Sequence, residues 1–246
     1  MSLTIDHLIV GYQLPVLDDI NLEAETGQFI ALIGKNGSGK STFLKTLAGI
    51  LPPINGDVSY NKIHLFNMSE LERAKLVSIV LTDPINLPLK VKEFVGLGRQ
   101  AYTGMLDTLS DNDQKIINQV MSDLSIDILK DRNILELSDG ERQKVIIARA
   151  LVQETPIILL DEPTTHLDLE NKAVLIKKLW QIAKEQGKIV IISTHDLNLI
   201  LPKADKIWLA TPQKNIRHIN KKAELKEMFN SAYLKFDNEC EIFRLI

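Results

Sequence analysis

The nine residues Gly34–Thr42 read Gly-Lys-Asn-Gly-Ser-Gly-Lys-Ser-Thr, fill every position of the spacing G-x-x-x-x-G-K-[ST], and directly follow an apolar run. That spacing constrains the fold because it belongs where a buried strand hands over to a helix through a glycine turn. Phe29-Ile30-Ala31-Leu32-Ile33 reads as the strand, and Lys40 to Ile50 as the helix, whose positive N-terminal end faces a bound anion. Gly34, Gly37 and Gly39, with Lys35, Asn36 and Ser38 between them, let successive backbone N–H groups turn inward around phosphates. Lys40 then reaches the β and γ phosphates, and the Ser41 hydroxyl, beside Thr42, can ligate magnesium. The segment reads as a nucleoside triphosphate site rather than as a glycine turn without a ligand.

The remaining pattern predicts an α/β chain. Residues 3 to 30 read as short strands with a turn at Glu25-Thr26-Gly27-Gln28. Gly56–Tyr60, a turn at Asn61-Lys62 and Ile63-His64-Leu65 read as a hairpin, so an antiparallel sheet is expected beside the nucleotide site. Leu76–Leu81 is a third apolar β-like run, broken by Asp83-Pro84 and Pro88. From about 92 to 153 the pattern is helical, with interruptions near Gly104 and over 131–138. Ile157–Leu160 and Ile189–Ile192 are continuous apolar runs, as expected of parallel strands covered by helices on both faces. Between them a helix is predicted over about Leu169 to Gln186, stopped by Gly187.

Composition narrows the class. The 246 residues are 45% hydrophobic, enough for a sizeable core, and one domain with a sub-lobe fits. A formal charge of −3, with no basic block, gives no electrostatic footprint for nucleic acid. Cys240 is the only cysteine, which leaves no intrachain disulfide or cysteine metal cluster, suits a reducing compartment, and reads as inert. The N-terminus carries no positive leader, and no segment approaches the ~20 apolar residues needed to cross a bilayer. Attachment to a membrane would have to come through another protein.

Four further segments line up with the phosphate loop. They are Leu137-Ser138-Asp139-Gly140-Glu141 followed by Arg142-Gln143, Ile157–Pro163, Thr164-Thr165-His166-Leu167-Asp168, and Ser193-Thr194-His195-Asp196. With them, residues from about 3 to 210 resemble the ATP-binding cassette (ABC) family, the ATPase subunits of membrane transporters. The resemblance implies an ABC ATPase fold: a P-loop NTPase core with a parallel sheet, an antiparallel β subdomain, and a helical subdomain. On that basis residues 1–246 form a single domain, with the helical subdomain over about 84–150 and a short C-terminal extension over about 211–246. Residues beyond about 220 look like a short helix and strands.

The resemblance also implies roles. Leu137–Glu141 is similar to the family signature, usually LSGGQ, departing from it at the third and fifth positions. Ser138 and Gly140 would bind the γ phosphate of a nucleotide held by the other subunit, through a hydroxyl and backbone N–H groups. Ser138 with Glu141 is equally a helix capping box. Ile157–Pro163 matches the Walker B pattern, in which Asp161 at a strand end holds magnesium and Glu162 polarises the attacking water. Asp168 would help shape the nucleotide site across a dimer. His195 would contact the γ phosphate and the region of the catalytic water. Tyr12 sits where the family places an aromatic that stacks on adenine, with a half-buried strand tyrosine as the alternative. His166 reads as a packing or surface residue.

One position departs from the family. A glutamine that touches magnesium usually follows the strand placed here at 76–81, whereas this chain has Thr82 and then Asp83. Either oxygen could reach magnesium or its water, and neither offers the amide's donor.

Catalytic roles thus fall on Glu162, His195 and Lys40, with ATP and Mg2+ as cofactors. The working unit is expected to be a head-to-tail homodimer enclosing two ATP molecules, docked on transmembrane permease subunits at the cytoplasmic face of the inner (plasma) membrane and served indirectly by an extracytoplasmic substrate-binding protein. The wording Pro163–Asp168, His195-Asp196-Leu197-Asn198 and Val91–Tyr102 is similar to the subgroup serving importers of ferric siderophores, haem and cobalamin. A soluble cassette protein that assembles or remodels complexes is the alternative. A small-molecule kinase would leave Leu137–Glu141 and His195 unexplained.

Overall fold

The computed structural model describes residues 1–82, 85–103, 108–219, 234–237 and 242–245. The expected break at Gly104, Asp83 as a metal candidate, Cys240 and the short helix beyond 220 lie outside these residues. Strands β1 (Ser2–Gly11) and β2 (Pro15–Glu25) precede β3 (Phe29–Ile33) and helix α1 (Lys40–Leu47). Then come β4 (Asn55–Tyr60), β5 (Ile63–His64), α2 (Glu70–Leu76) and β6 (Val77–Val80). The helical stretch contains α3 (Val91–Gly96), α4 (Gln100–Thr103), α5 (Asp111–Asp123) and α6 (Asp139–Leu151). It leads into β7 (Ile157–Asp161), α7 (Leu169–Gln186), β8 (Ile189–Ser193), α8 (Leu197–Ile200), β9 (Lys206–Ala210) and β10 (Ile216–Ile219). A two-stranded ribbon of β11 (Leu234–Asp237) and β12 (Ile242–Leu245) follows.

A six-stranded sheet in the order β10-β9-β3-β8-β7-β6 is parallel except at β10. Its central strands read as unbroken apolar runs because both faces are covered. Phe29, Ala31, Ile158, Leu160, Val190 and Ile192 join a core with α3, α5, α6 and α7. The alternate residues Ile30, Leu32, Ile157, Leu159, Ile189 and Ile191 join a second core with α1 and the antiparallel sheet. There Phe43 packs edge-on against Trp208, with ring centroids 6.1 Å apart. Period-two alternation in the strands thus places helices on one side and the β subdomain on the other.

The expected antiparallel sheet is present in the order β2-β1-β4-β5. Its first two strands are long rather than short, at 10 and 11 residues, and bulges break their pairing between Ile5 and Gly11. The hairpin's second strand is shorter than predicted, because Leu65 starts a 3-10 turn with a buried side chain. Helix α1 stops at Leu47, where the Gly49 backbone takes a φ of 72°. The stop at Gly187 is as expected, with φ 62°. Among the described residues no helix is long and apolar enough to cross a membrane.

A buried network fastens the helical stretch to the strand side. Arg99 donates to Asp113 at 2.7 Å, to the Val152 carbonyl at 2.8 Å and to Glu154 at 2.9 Å. Its guanidinium lies 4.2 Å from the ring centroid of Tyr102, whose hydroxyl donates to the Gln153 carbonyl. Ser110 first, and Arg99 after it, hold the Asp113 carboxyl below its ordinary value. Arg99→Met keeps the stem and leaves the buried Asp113 carboxylate without its counter-charge, with only Ser110 donating to it, so unfolding in urea should show a loss of about 3 kcal/mol. An unchanged midpoint would mean the network does not hold the two parts together.

Candidate active site

The phosphate loop leaves β3 and enters α1 with Gly37 at φ 74° and Gly39 at φ 92°. Glycine is required at both by conformation, and at Gly39 also by space, since a Cβ there would meet Leu17 Cγ at 2.8 Å. Helices α2, α5, α6 and α7 each have a side chain capping their first turn, from Ser69, Ser110, Ser138 and Asp168. Helix α1 has no side-chain cap and no acidic residue in its first turn. Its leading N–H groups are therefore offered to an external anion.

A cleft of about 270 Å³ opens on this loop, lined by Val16, residues 36–42, Thr82, Asp161 and Glu162. Ser38 Oγ is buried there without a hydrogen-bond partner, an orphan donor that a phosphate oxygen would satisfy. Lys40 Nζ is folded back onto the Gly34 and Lys35 carbonyls at 2.9 and 3.2 Å. Burial pulls its ammonium below the ordinary lysine range, while Glu162 and Asp161 push it back up. These features fit a triphosphate. Ser41 and Asp161 offer hard oxygen donors, which suits Mg2+; among the described residues no three His, Cys, Asp or Glu could cage a metal, so phosphate oxygens would complete such a site.

Asp161 ends β7, is 2% exposed, and accepts from the Ser193 hydroxyl at 2.6 Å. Glu162 follows with its backbone at φ 47°, a left-handed conformation costing a non-glycine residue about 1 kcal/mol. Its N–H donates to the carbonyl and hydroxyl of Ser193 at 3.1 and 3.0 Å. His195 Nε2 lies 2.9 Å from Glu162 Oε1, in contact but not aligned as a hydrogen bond, so that buried oxygen stays without a bonded donor. Burial raises the Glu162 carboxyl above its ordinary 4.5, opposed by His195 and then Lys40. Asp196 joins the turn after β7 to α7, accepting from Thr164 at 2.6 Å and Lys172 at 2.9 Å.

The sequence-predicted residues divide into two groups. Loop residues 36–42, Asp161 and Glu162 share the cleft, His195 touches Glu162, and Thr82 lines the wall. Ser138, Gly140 and Asp168 do not line it. Ser138 donates to Glu141 at 2.8 Å in a capping box that opens α6. Asp168 caps α7 by accepting from the Asn171 N–H at 2.8 Å, and Gly140 packs under the His166 carbonyl. Tyr12 is 67% exposed, not half-buried, and lines neither this cleft nor the neighbouring hollow bounded by Val16, Lys35 and Thr211. Two further residues carry no role in the sequence pattern: Val16, which walls both hollows, and Ser193, which opens the segment containing His195 but is marked there only by a hydroxyl ending an apolar run. A hollow of about 370 Å³ between α5 and α7 contains none of the predicted site residues.

Residues 17–165 match the sequence model of the family described as ABC transporter. An ABC transporter ATP-binding protein of Methanocaldococcus jannaschii, described as uncharacterized, is 38% identical over 96% of this chain and 83% of its own length. The iron(3+)-hydroxamate import ATP-binding protein FhuC of Bacillus subtilis is 38% identical over 80% and 74%. The achromobactin transport ATP-binding protein CbrD of Dickeya dadantii is 36% identical over 83% and 77%. Among solved structures, a dimeric bacterial ABC transporter cassette superposes with a TM-score of 0.79 at 26% identity, over 88% of this chain and 97% of that one. The same cassette, dimeric in a post-hydrolysis state with ADP and phosphate, superposes with the same TM-score.

Proposed function

This chain belongs to the ABC transporter family, and from that membership we propose that it is the ATP-hydrolysing subunit powering an importer of ferric siderophores, within the siderophore, haem and cobalamin class. The relatives named for Fe3+-hydroxamate and achromobactin support the siderophore cargo. One observation carries the mechanism: the loop, Asp161 and Glu162 converge on one cleft, whereas Ser138, Gly140 and Asp168 lie outside it. A second copy, placed head to tail, supplies the missing half.

In this reading the α1 N-terminus and Ser38 take phosphate oxygens, and Lys40 exchanges its loop carbonyls for the β and γ phosphates. Ser41 and Asp161, with Thr82 beside them, hold magnesium, which when bound neutralises charge developing on the transferred phosphoryl group. Glu162 orients water and takes up its proton, and His195 steadies the carboxylate. Tyr12 stacks on the base from outside the loop. Ser138 and Gly140 act on the partner's nucleotide, and Asp168 orders the seam. The pair docks on a permease at the cytoplasmic face of the membrane, fed by an extracytoplasmic binding protein.

The proton-accepting role fixes a pH dependence. Glu162 must be ionised, so turnover falls on acidification with a midpoint above 4.5. Its stabilising contribution runs the other way: a raised carboxyl stabilises the fold fully below 4.5 and loses that as pH rises through the folded value. Activity and stability therefore trade against each other in the same window, and a pH–rate profile measured beside thermal melts will show opposite slopes there. The transport role is tested by isolating the tagged chain from native membranes and following uptake of a labelled ferric hydroxamate. Recovery of a multi-span permease and loss of uptake in Glu162→Gln support it. Isolation without a permease, with uptake unchanged, would favour a soluble remodelling cassette.

A further inference from the structure

Ser193 is 0% exposed at the end of β8 and pairs in register with Asp161 at the end of β7. Along these strands Ile157, Leu159, Ile189 and Ile191 face the core that contains α1. By the same alternation Asp161 and Ser193 continue that stripe, so the two side chains stand next to each other on the phosphate-loop side of the sheet. An apolar residue would extend the stripe equally well. The serine instead gives its one proton to Asp161 Oδ1 at 2.6 Å and receives the Glu162 N–H at 3.0 Å.

We infer that Ser193 is the positioning residue of the hydrolytic pair, one buried hydroxyl that fixes the rotation of the Asp161 carboxylate and the backbone frame of Glu162 together. This rests on the hydrolytic reading of Asp161 and Glu162 above. The Glu162 N–H has a second acceptor in the Ser193 carbonyl at 3.1 Å, so losing the hydroxyl leaves the strained turn tethered. The Asp161 side chain has no such reserve in Ser193. Loss of the hydroxyl should therefore be felt first in how Asp161 presents itself to a cation, and second in turnover. A hydroxyl that merely satisfied a strand end would affect melting but not the metal requirement.

The test uses the whole 246-residue chain with Ser193→Ala and Ser193→Thr. Mn2+ binding to the ATP-loaded protein is followed by electron paramagnetic resonance, alongside kcat and KM for ATP at varied Mg2+ and a thermal melt. Loss of one hydrogen bond to a charged group predicts about a tenfold weaker Mn2+ affinity and a comparable fall in kcat for Ser193→Ala, with KM for ATP unchanged at saturating metal. Ser193→Thr, which restores the hydroxyl, should recover the metal affinity. Wild-type Mn2+ affinity in Ser193→Ala overturns the inference, whether or not the threonine variant folds. So does a loss confined to melting temperature. Failure of the underlying reading looks different: the unmodified protein would not hydrolyse ATP, or Glu162→Gln would hydrolyse it normally.

Discussion

Glu162→Gln will bind ATP as the unmodified chain does, yet turn it over about a thousandfold more slowly, the scale of a lost general base. Glutamine keeps the shape and the hydrogen-bonding backbone of the turn but cannot take up a proton. The carboxylate it replaces has an oxygen buried without a bonded donor, touched by His195 and facing the cleft that holds the phosphate loop. With ATP uncleaved, the closed pair of chains has no route to separate, so size-exclusion chromatography with ATP and Mg2+ should show a persistent dimer. Normal turnover would remove Glu162 from the water-activating role.

Lys40→Met acts one step earlier. Lys40 is 7% exposed, its ammonium held between the Gly34 and Lys35 carbonyls and within reach of the fields of Glu162 and Asp161. Methionine, one atom shorter and unbranched, fills most of the space of the stem, so the loop nearly keeps its volume while losing its only buried cation among the described loop residues. The triphosphate would then face Asp161 and Glu162 with that charge uncompensated. Equilibrium dialysis with labelled ATP should show affinity lower by about a hundredfold. Binding within a few-fold of the unmodified chain would mean that the backbone N–H groups alone carry the phosphates.

These two residues were legible in the sequence because their motifs combine a chemical requirement with a strand-to-helix transition, which leaves little freedom of interpretation. The parallel strands were legible for the same kind of reason: Ile157–Leu160 and Ile189–Ile192 are apolar throughout only because both faces are covered. What stayed hidden depends on partners distant in sequence. The bulges that let β1 pair with two neighbours are set by register, not by residue type. Helix α2 has a local signal, the Ser69–Glu72 capping box, but none of its residues is buried, so no apolar stripe marks the helix in the sequence. The Ser138–Glu141 box was recognised, and the structure forms it, so the capping role holds alongside any contact to a second nucleotide. Ser193 could not be assigned from a run that ends in a small polar residue, because only pairing with Asp161 gives its hydroxyl a task. Tyr12, placed by the resemblance alone, stands exposed off the cleft wall, so its part in stacking rests on the proposal and not on the lining of the cleft.

The account depends on each nucleotide being held by two copies, and mixing two inactive variants tests this most directly. Lys40→Met disables the phosphate loop and leaves Ser138 and Gly140 intact. Gly140→Asp puts a carboxylate where the partner's γ phosphate would sit, in a helix first turn that tolerates acid, with its Cβ 3.3 Å from the His166 carbonyl. Each variant alone should be nearly inactive. Mixed in equal amounts, random heterodimers hold one intact site apiece, so ATPase activity should recover to about a quarter of that of the unmodified protein. A mixture as inactive as its components would contradict the shared site and with it the head-to-tail dimer.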